Sequence, residues 1–331
     1  MAYVGNVFHH GYIWNANDLN AVPPFTTWTP SGGTNKALVD PTSSSGALYS
    51  ANLIRSLVGY KGVAQIPTYA SIGESNYNSL QVQVDKQVGK NLQFSSNYTW
   101  SKTLLYSHRQ FTDDRLTRNV TGNRPHAVNA VFAYFLPSLW HSGIGKQVLG
   151  GWQLDGSAAL YSGSAMSIVC DYTHNPVGWP DGTPTGGVLF RCQMLDPKGL
   201  WLPLGATPAS VGSTADPRLW WPLNAANFVL PKVTSTFTRG MIGNEPPTLT
   251  YGPGLEIFNA ALAKEFRLRE SRALEFKIEA VNALNHFNPS NPNTTLTLDY
   301  NTGANTNSAF GTIQSAQYNS RRAILSVRFT F

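Results

Sequence analysis

The stretch NSLQVQVDKQVGKNLQFSSNYTWSK alternates apolar and polar side chains twice, on either side of a short turn. Leu80, Val82 and Val84 alternate with Gln81, Gln83 and Asp85. After Val88–Asn91, the residues Leu92, Phe94, Ser96, Tyr98 and Trp100 alternate with Gln93, Ser95, Asn97 and Thr99. A period of two sends successive side chains to opposite faces of a pleated strand, so the stretch reads as a β-hairpin with one apolar and one polar face. The pattern returns in GWQLDGSAALYSG, where Trp152, Leu154, Ala158 and Leu160 oppose Gln153, Asp155, Ser157 and Tyr161. In RALEFKIEAVN, Leu274, Phe276, Ile278 and Ala280 oppose Glu275, Lys277 and Glu279. In the C-terminal RRAILSVRFTF, Ala323, Leu325, Val327, Phe329 and Phe331 alternate with Ile324, Ser326, Arg328 and Thr330. PHAVNAVFAYFLP and GLEIFNAALAKEF also read as strands, with apolar residues on both faces.

The connections sort by length. Val88–Asn91, Pro137–Lys146 and Arg267–Arg272 are short, whereas roughly Trp14–Gly73, Lys102–Arg124, Cys170–Gly252 and Asn285–Asn319 are long, and the two kinds alternate along the chain. In an up-and-down sheet alternate connections lie at opposite ends, so one end carries tight turns and the other long loops. That is the layout of an outer-membrane β-barrel, and Greek-key links of a soluble sandwich do not sort this way. Strand cores of about 9–13 residues approach the length a tilted strand needs to cross hydrocarbon. The expected fold is therefore all-β: an antiparallel up-and-down transmembrane sheet of about eight strands with long extracellular loops. Only a closed barrel satisfies every backbone group in lipid.

Composition agrees. Charged residues are 13% of the 331-residue chain, about half the usual share of a soluble protein. No run of about 18 apolar residues is present, which leaves membrane strands open as the means of crossing. The formal charge is +6, but Lys and Arg are scattered, with no block beyond Arg321–Arg322, so nucleic acid is not an expected partner. The opening MAYVGNVFHHGYIW does not read as a secretory signal. No enzyme constellation emerges. GIGKQVLGG has Val148 where a dinucleotide loop needs its third glycine and is read as lacking a strand–helix context. YSGSAMS is no nucleophile elbow, and the histidines lack metal-ligand spacing. No catalytic, cofactor-binding or metal-ligating residue is expected, and no cofactor.

The stretches SNYNSLQVQVDKQVGKNLQFSSNYTWSK, NRPHAVNAVFAYFLP, GGWQLDGSAALYSGSAMSI, YGPGLEIFNAALAKEFRLRESRALEFKIEAVNALNHFNPSNP and FGTIQSAQYNSRRAILSVRFTF occur in the order in which they occur in one family. The chain resembles the C-terminal barrel portion of TonB-dependent outer-membrane receptors of the Oar-like, acidobacterial kind. The resemblance implies a barrel of about 22 strands around a plug. It also implies uptake of a bulky solute energised through the TonB system. Residues 1–331 are then expected to be one part of that barrel, with the plug, its TonB-contacting box, a signal peptide and further strands lying outside this sequence. Expected partners are outer-membrane lipid and lipopolysaccharide, the missing plug and strands, and the barrel-assembly machinery, which reads a C-terminal strand ending in an aromatic. A complete eight-stranded barrel with a structural or adhesion role is the other reading.

Candidate residues follow. Ala323, Leu325, Val327, Phe329 and Phe331 form the candidate assembly signal. Gln81, Gln83, Gln93, Asn97, Asp155, Glu275, Lys277, Glu279 and Arg328 are expected to face the lumen, with Leu80, Val82, Phe94, Tyr98, Leu154, Leu274, Phe276, Val327 and Phe329 facing lipid. Tyr98, Trp100, Trp152, Phe266, Phe329 and Phe331 are expected near strand ends, where aromatic girdles lie. The long loop 170–252 carries Trp179, Trp201, Trp220 and Trp221, whose rings could stack on a sugar or chelate or pack into a cap. Cys170 and Cys192 both lie in this one long irregular segment, and the sequence leaves a bridge and two free thiols equally open.

Overall fold

The computed structural model describes residues 1–20, 27–28, 36–37, 60, 66–105, 123–138, 142–173, 192–229, 243–246, 248–269, 272–299 and 302–331. Eight long strands make one antiparallel sheet: β1 (Ala2–Asp18), β2 (Pro67–Val88), β3 (Leu92–Leu105), β4 (His126–Phe135), β5 (Trp152–Tyr161), β6 (Leu255–Arg269), β7 (Arg272–Val281) and β8 (Arg322–Thr330). Spatial order follows chain order, so every strand pairs with its sequence neighbours and β1 and β8 are the two edges. The sheet is open: no ladder joins β1 to β8. No helix among the described residues is long and apolar enough to cross a membrane.

The turn between β2 and β3 is formed by Gly89–Asn91, with Gly89 at a positive φ of 58° that glycine adopts without strain. β6 and β7 meet across residues 270–271. The third connection at this end departs from the expected plain turn Pro137–Lys146. Residues 143–149 there form a short helix, α1 (Gly143–Leu149), and the connection extends to Gly151. A helix does therefore follow a strand at GIGKQVLGG, but Gly143 and Gly145 lie inside the helix and Gly150 and Gly151 follow it, so none sits in a loop leading into the helix.

Four strands exceed the expected core length, β3 and β6 slightly, at 14 and 15 residues, and β1 and β2 by more. β1 has 17 residues and β2 has 22. Their hairpin continues past the level where β3 ends, and three register shifts between Phe8 and Asn17 bend it. His10 takes a positive φ of 59°, and a side chain at Gly73 would meet the Gly11 carbonyl oxygen at 2.9 Å, so the two backbones touch at the bend.

The core lies elsewhere. Ile168, Cys192, Met194, Leu200, Leu223, Phe228, Leu296, Leu298 and Phe310 form the buried apolar cluster, and all nine belong to the β5–β6 and β7–β8 connections. The segment Cys170–Gly252, read from sequence as a structureless loop, holds local order. Gln193–Met194 pairs with Phe228–Val229, and Thr250–Tyr251 pairs with Ala165–Met166. Val169–Thr173 runs parallel to Thr295–Asp299 from the other connection. The two long connections thus fold together as one cap.

Candidate functional site

The register decides which side chains share a face, because directly paired residues of an antiparallel ladder point the same way. One row runs Leu80–Trp100–His126 and another Val82–Tyr98–Val128–Leu160. Nearer the turns, Phe94 meets Phe132, which meets Gly156, and Tyr134 meets Leu154, which meets Leu262, Ile278 and Leu325 in turn. Phe266, Leu274 and Phe329 form the last of these rows. All nine residues expected to face lipid therefore lie on one face. The same ladders put Gln81, Gln83, Gln93, Asn97, Asp155, Glu275, Lys277, Glu279 and Arg328 together on the other.

Much of the apolar face is left uncovered among the described residues. Val84, Ile278 and Phe329 are each 51% exposed and Val327 is 63% exposed. A water-soluble chain rarely leaves so continuous an apolar patch open. The face has a definite height. From Leu92 to Trp100 on β3 there are eight residue steps, which make about 27 Å of strand and, at a tilt near 40°, about 21 Å of depth, close to the ~25 Å apolar band of a membrane barrel. Beyond Leu80 and Trp100 polar residues enter the same face: Asn78 stands opposite Lys102, and Asn76 stands between Val7 and Leu104. Trp100 stands at this upper border with Tyr98 just below it, and Trp152, Phe266 and Phe329 stand at the lower one. Phe331 follows the end of β8, 90% exposed, with its ring 6.1 Å from that of Phe329.

The polar face is cross-linked. Asp85 accepts hydrogen bonds from Gln83 (2.6 Å) and Ser95 (2.6 Å), and Asp155 accepts from Gln153 (2.7 Å). The Asn129 amide donates to Asn97 (3.2 Å) and accepts from the Tyr161 hydroxyl (2.6 Å). On β7 the Lys277 ammonium pairs with Glu279, and Glu275 lies 3.9 Å from Arg328 of β8. β4 breaks the pattern, with Val131 and Phe135 exposed on this polar side, as its sequence implies.

At the loop end, asparagines that the sequence reading passed over do the joining. The Asn288 side chain is 1% exposed, accepts from the Glu256 N–H (2.6 Å) and donates to the Glu256 carbonyl (2.9 Å). Asn227 does the same to Asp196 (2.9 and 2.8 Å), and Asn244 to Met194 (2.7 and 3.1 Å). A carboxamide carries the donor and acceptor of a peptide unit, so each replaces one residue of a missing strand partner. Asn282, fully buried at a positive φ of 49°, holds the backbone of His286 and the Asn319 carbonyl. Arg124 ties the top of β5 to the cap through the Ser162 carbonyl (2.9 Å) and Gln317 (2.7 Å). The spaced asparagines of NALNHFNPSN were the available signal.

Within the cap, Cys170 and Cys192 are bridged, with Cα atoms 5.4 Å apart. Trp201 and Trp221 bring their rings to 6.3 Å at 59°. Trp201 is 41% exposed, and Trp221 packs against the core with its indole N–H finding no acceptor among the described residues. Trp220 adjoins them and bridges to Thr312. Trp179 lies outside the described residues.

An open antiparallel sheet with a bare apolar band, a polar reverse side, tight turns at one end and a loop cap at the other defines a membrane β-barrel wall. The family comparison adds the second step: a model of the outer membrane beta barrel domain matches residues 1–324, so the chain belongs to that family and its place is the outer membrane. No protein of curated function matches the chain.

Proposed function

We propose that this chain is the wall and loop portion of a TonB-dependent receptor of the Oar-like kind, which imports a bulky solute across the outer membrane of a Gram-negative-type cell. The observation that carries the reading is the open sheet: eight strands in sequential order with no ladder joining the first to the last. An eight-stranded barrel that was complete would join β1 to β8, since unpaired strand edges are not tolerated in lipid. The loop cap supports the reading as well, because a receptor captures its solute at the extracellular mouth. There Trp201, Trp220 and Trp221 would meet ligand, and the face bearing Asp155, Glu275, Lys277, Glu279 and Arg328 would line a wet lumen against the plug. Energy would come through that plug from the TonB system, and the C-terminal row ending in Phe331 would be read by the assembly machinery. No covalent chemistry belongs to this reading.

The test is a cross-link between the edges. Cysteines at Gly5 and Leu325 are placed on the first and last strands, and the chain is assembled in outer membranes together with the strands that complete it. If the sheet is part of a larger barrel, the pair stays unlinked under oxidation. Efficient linking within one chain, together with a heat-modifiable monomer refolded from this chain alone, would instead establish a complete eight-stranded barrel.

A further inference from the structure

One lysine stands where a membrane wall should not have one. Lys264 belongs to the apolar face, opposite Trp152 on one side and Phe276 on the other. It is nevertheless only 4% exposed. Its ammonium donates to the Gly150 carbonyl, just past the C-terminus of α1, and lies 5.0 Å from the centre of the Phe266 ring. Trp152, from the same row, donates its indole N–H to the Val148 carbonyl (3.1 Å). Two side chains of the lipid-facing row thus hold the carbonyl end of one short helix, where a cation is also favoured by the helix dipole. Gly151 keeps the junction tight: its φ is 72°, and a side chain there would come within 3.3 Å of the Lys264 ammonium.

The helix is therefore fastened to the outside of the wall at the turn end. Its own exposed residues include Val148 (49%) and Leu149 (50%) beside an exposed Lys146. We infer that α1 is an interfacial anchor whose partner is the phospholipid leaflet at the turn end of the barrel, with Val148 and Leu149 at the headgroup–acyl boundary and Lys146 among the phosphates. Val148 and Leu149 adjoin the apolar face at Trp152, whose indole holds the Val148 carbonyl, and that is the reason to assign lipid. A seven-residue helix is also far too small for a stable protein interface, which needs about 800 Å² from each partner. The anchor explains the buried lysine: the helix hides its charge from the acyl chains, and the lysine fixes the helix at the membrane surface. The inference rests on the apolar face meeting lipid.

The experiment separates the two claims. The chain, assembled with the strands that complete its barrel, carries a nitroxide on a single introduced cysteine, Val148→Cys, in vesicles of phosphatidylethanolamine and phosphatidylglycerol, since its own cysteines are bridged. Val327→Cys on the apolar face and Leu204→Cys in the cap serve as references, and accessibility to oxygen is compared with accessibility to a water-soluble nickel chelate. The expected result is a label at 148 that favours oxygen, at a depth shallower than 327, with 204 favouring nickel. A label at 148 that matches 204 while 327 stays lipid-like would overturn the anchor alone. If 327 also matches 204, the lipid-facing reading falls and the anchor with it. In a Lys264→Met background the label at 148 should lose its oxygen preference while 327 keeps it. An unchanged depth at 148 would overturn the tether and the inference.

Discussion

The sheet and the cap use the same kinds of side chain in opposite ways. In the cap, Leu296, Leu298 and Phe228 are 0%, 1% and 2% exposed. In the sheet, Ile278, Leu325 and Val327 are 51%, 77% and 63% exposed. Water explains the first arrangement and lipid the second. The cap has to remove its apolar surface from water and does so by folding two connections onto each other, while the sheet leaves its apolar surface to the acyl chains and needs only paired backbones. The contrast teaches that each region should fail by a different route.

The largest expected effect is in the cap. Leu296→Ala opens a cavity where a fully buried side chain stood and should cost about 2–5 kcal/mol of cap stability. Protease should then cut residues 192–229 readily while the sheet keeps its heat-modifiable mobility. Loss of both together would show that the two regions are one cooperative unit. Nearly as large is Ile278→Arg, a charge inside the apolar band, expected to cost about 2–4 kcal/mol near the bilayer centre. It should lower the membrane-inserted fraction, whereas Ser326→Arg on the polar face should leave insertion unchanged. Equal losses would mean the two faces have been misassigned.

A smaller effect should separate the two regions at their joint. Asn288→Ala removes a 1%-exposed carboxamide that pairs both the N–H and the carbonyl of Glu256 and should cost about 1–3 kcal/mol. Hydrogen exchange at the Glu256 amide should quicken while amides at the turn end of β6 keep their protection. The smallest concerns pH. The Arg218 guanidinium and backbone N–H hold the exposed Asp216 carboxyl below its usual range. A depressed carboxylate stabilises its turn above the ordinary carboxylate pKa, and that contribution is lost as pH falls through the folded value. Local loosening of residues 216–219 below the usual carboxylate range, seen by amide exchange, is expected. Loosening that begins near neutral pH would point to another group.

Most of the sheet was legible because strand alternation is local. Two residues apart means the same face, so the identities of Leu80 and Val82, or Glu275 and Lys277, announce their sides with no knowledge of their neighbours. Short turns then force each strand to pair with the next. The lengths of β1 and β2 were not legible, because beyond Leu80 the apolar alternation stops while the hairpin continues on backbone pairing and polar contacts such as that of the Ser71 hydroxyl with the His10 carbonyl. Nor was α1, whose seven residues hold their helix through Lys264 and Trp152 from other parts of the chain.

The order of the strands, their hairpin partners and the two faces of the wall were determined by the sequence, since a period of two and a tight turn leave one geometry. The core of the cap, the strand-like service of Asn227, Asn244 and Asn288, and the burial of Lys264 were decided only by the tertiary structure. The physical reason is range. The cap lacks a repeating pattern, and its contacts join residues as distant as Ser164 and Asn291, 127 positions apart. Whether an asparagine pairs with a backbone, or a lysine hides beneath a helix, depends on what the rest of the chain brings beside it.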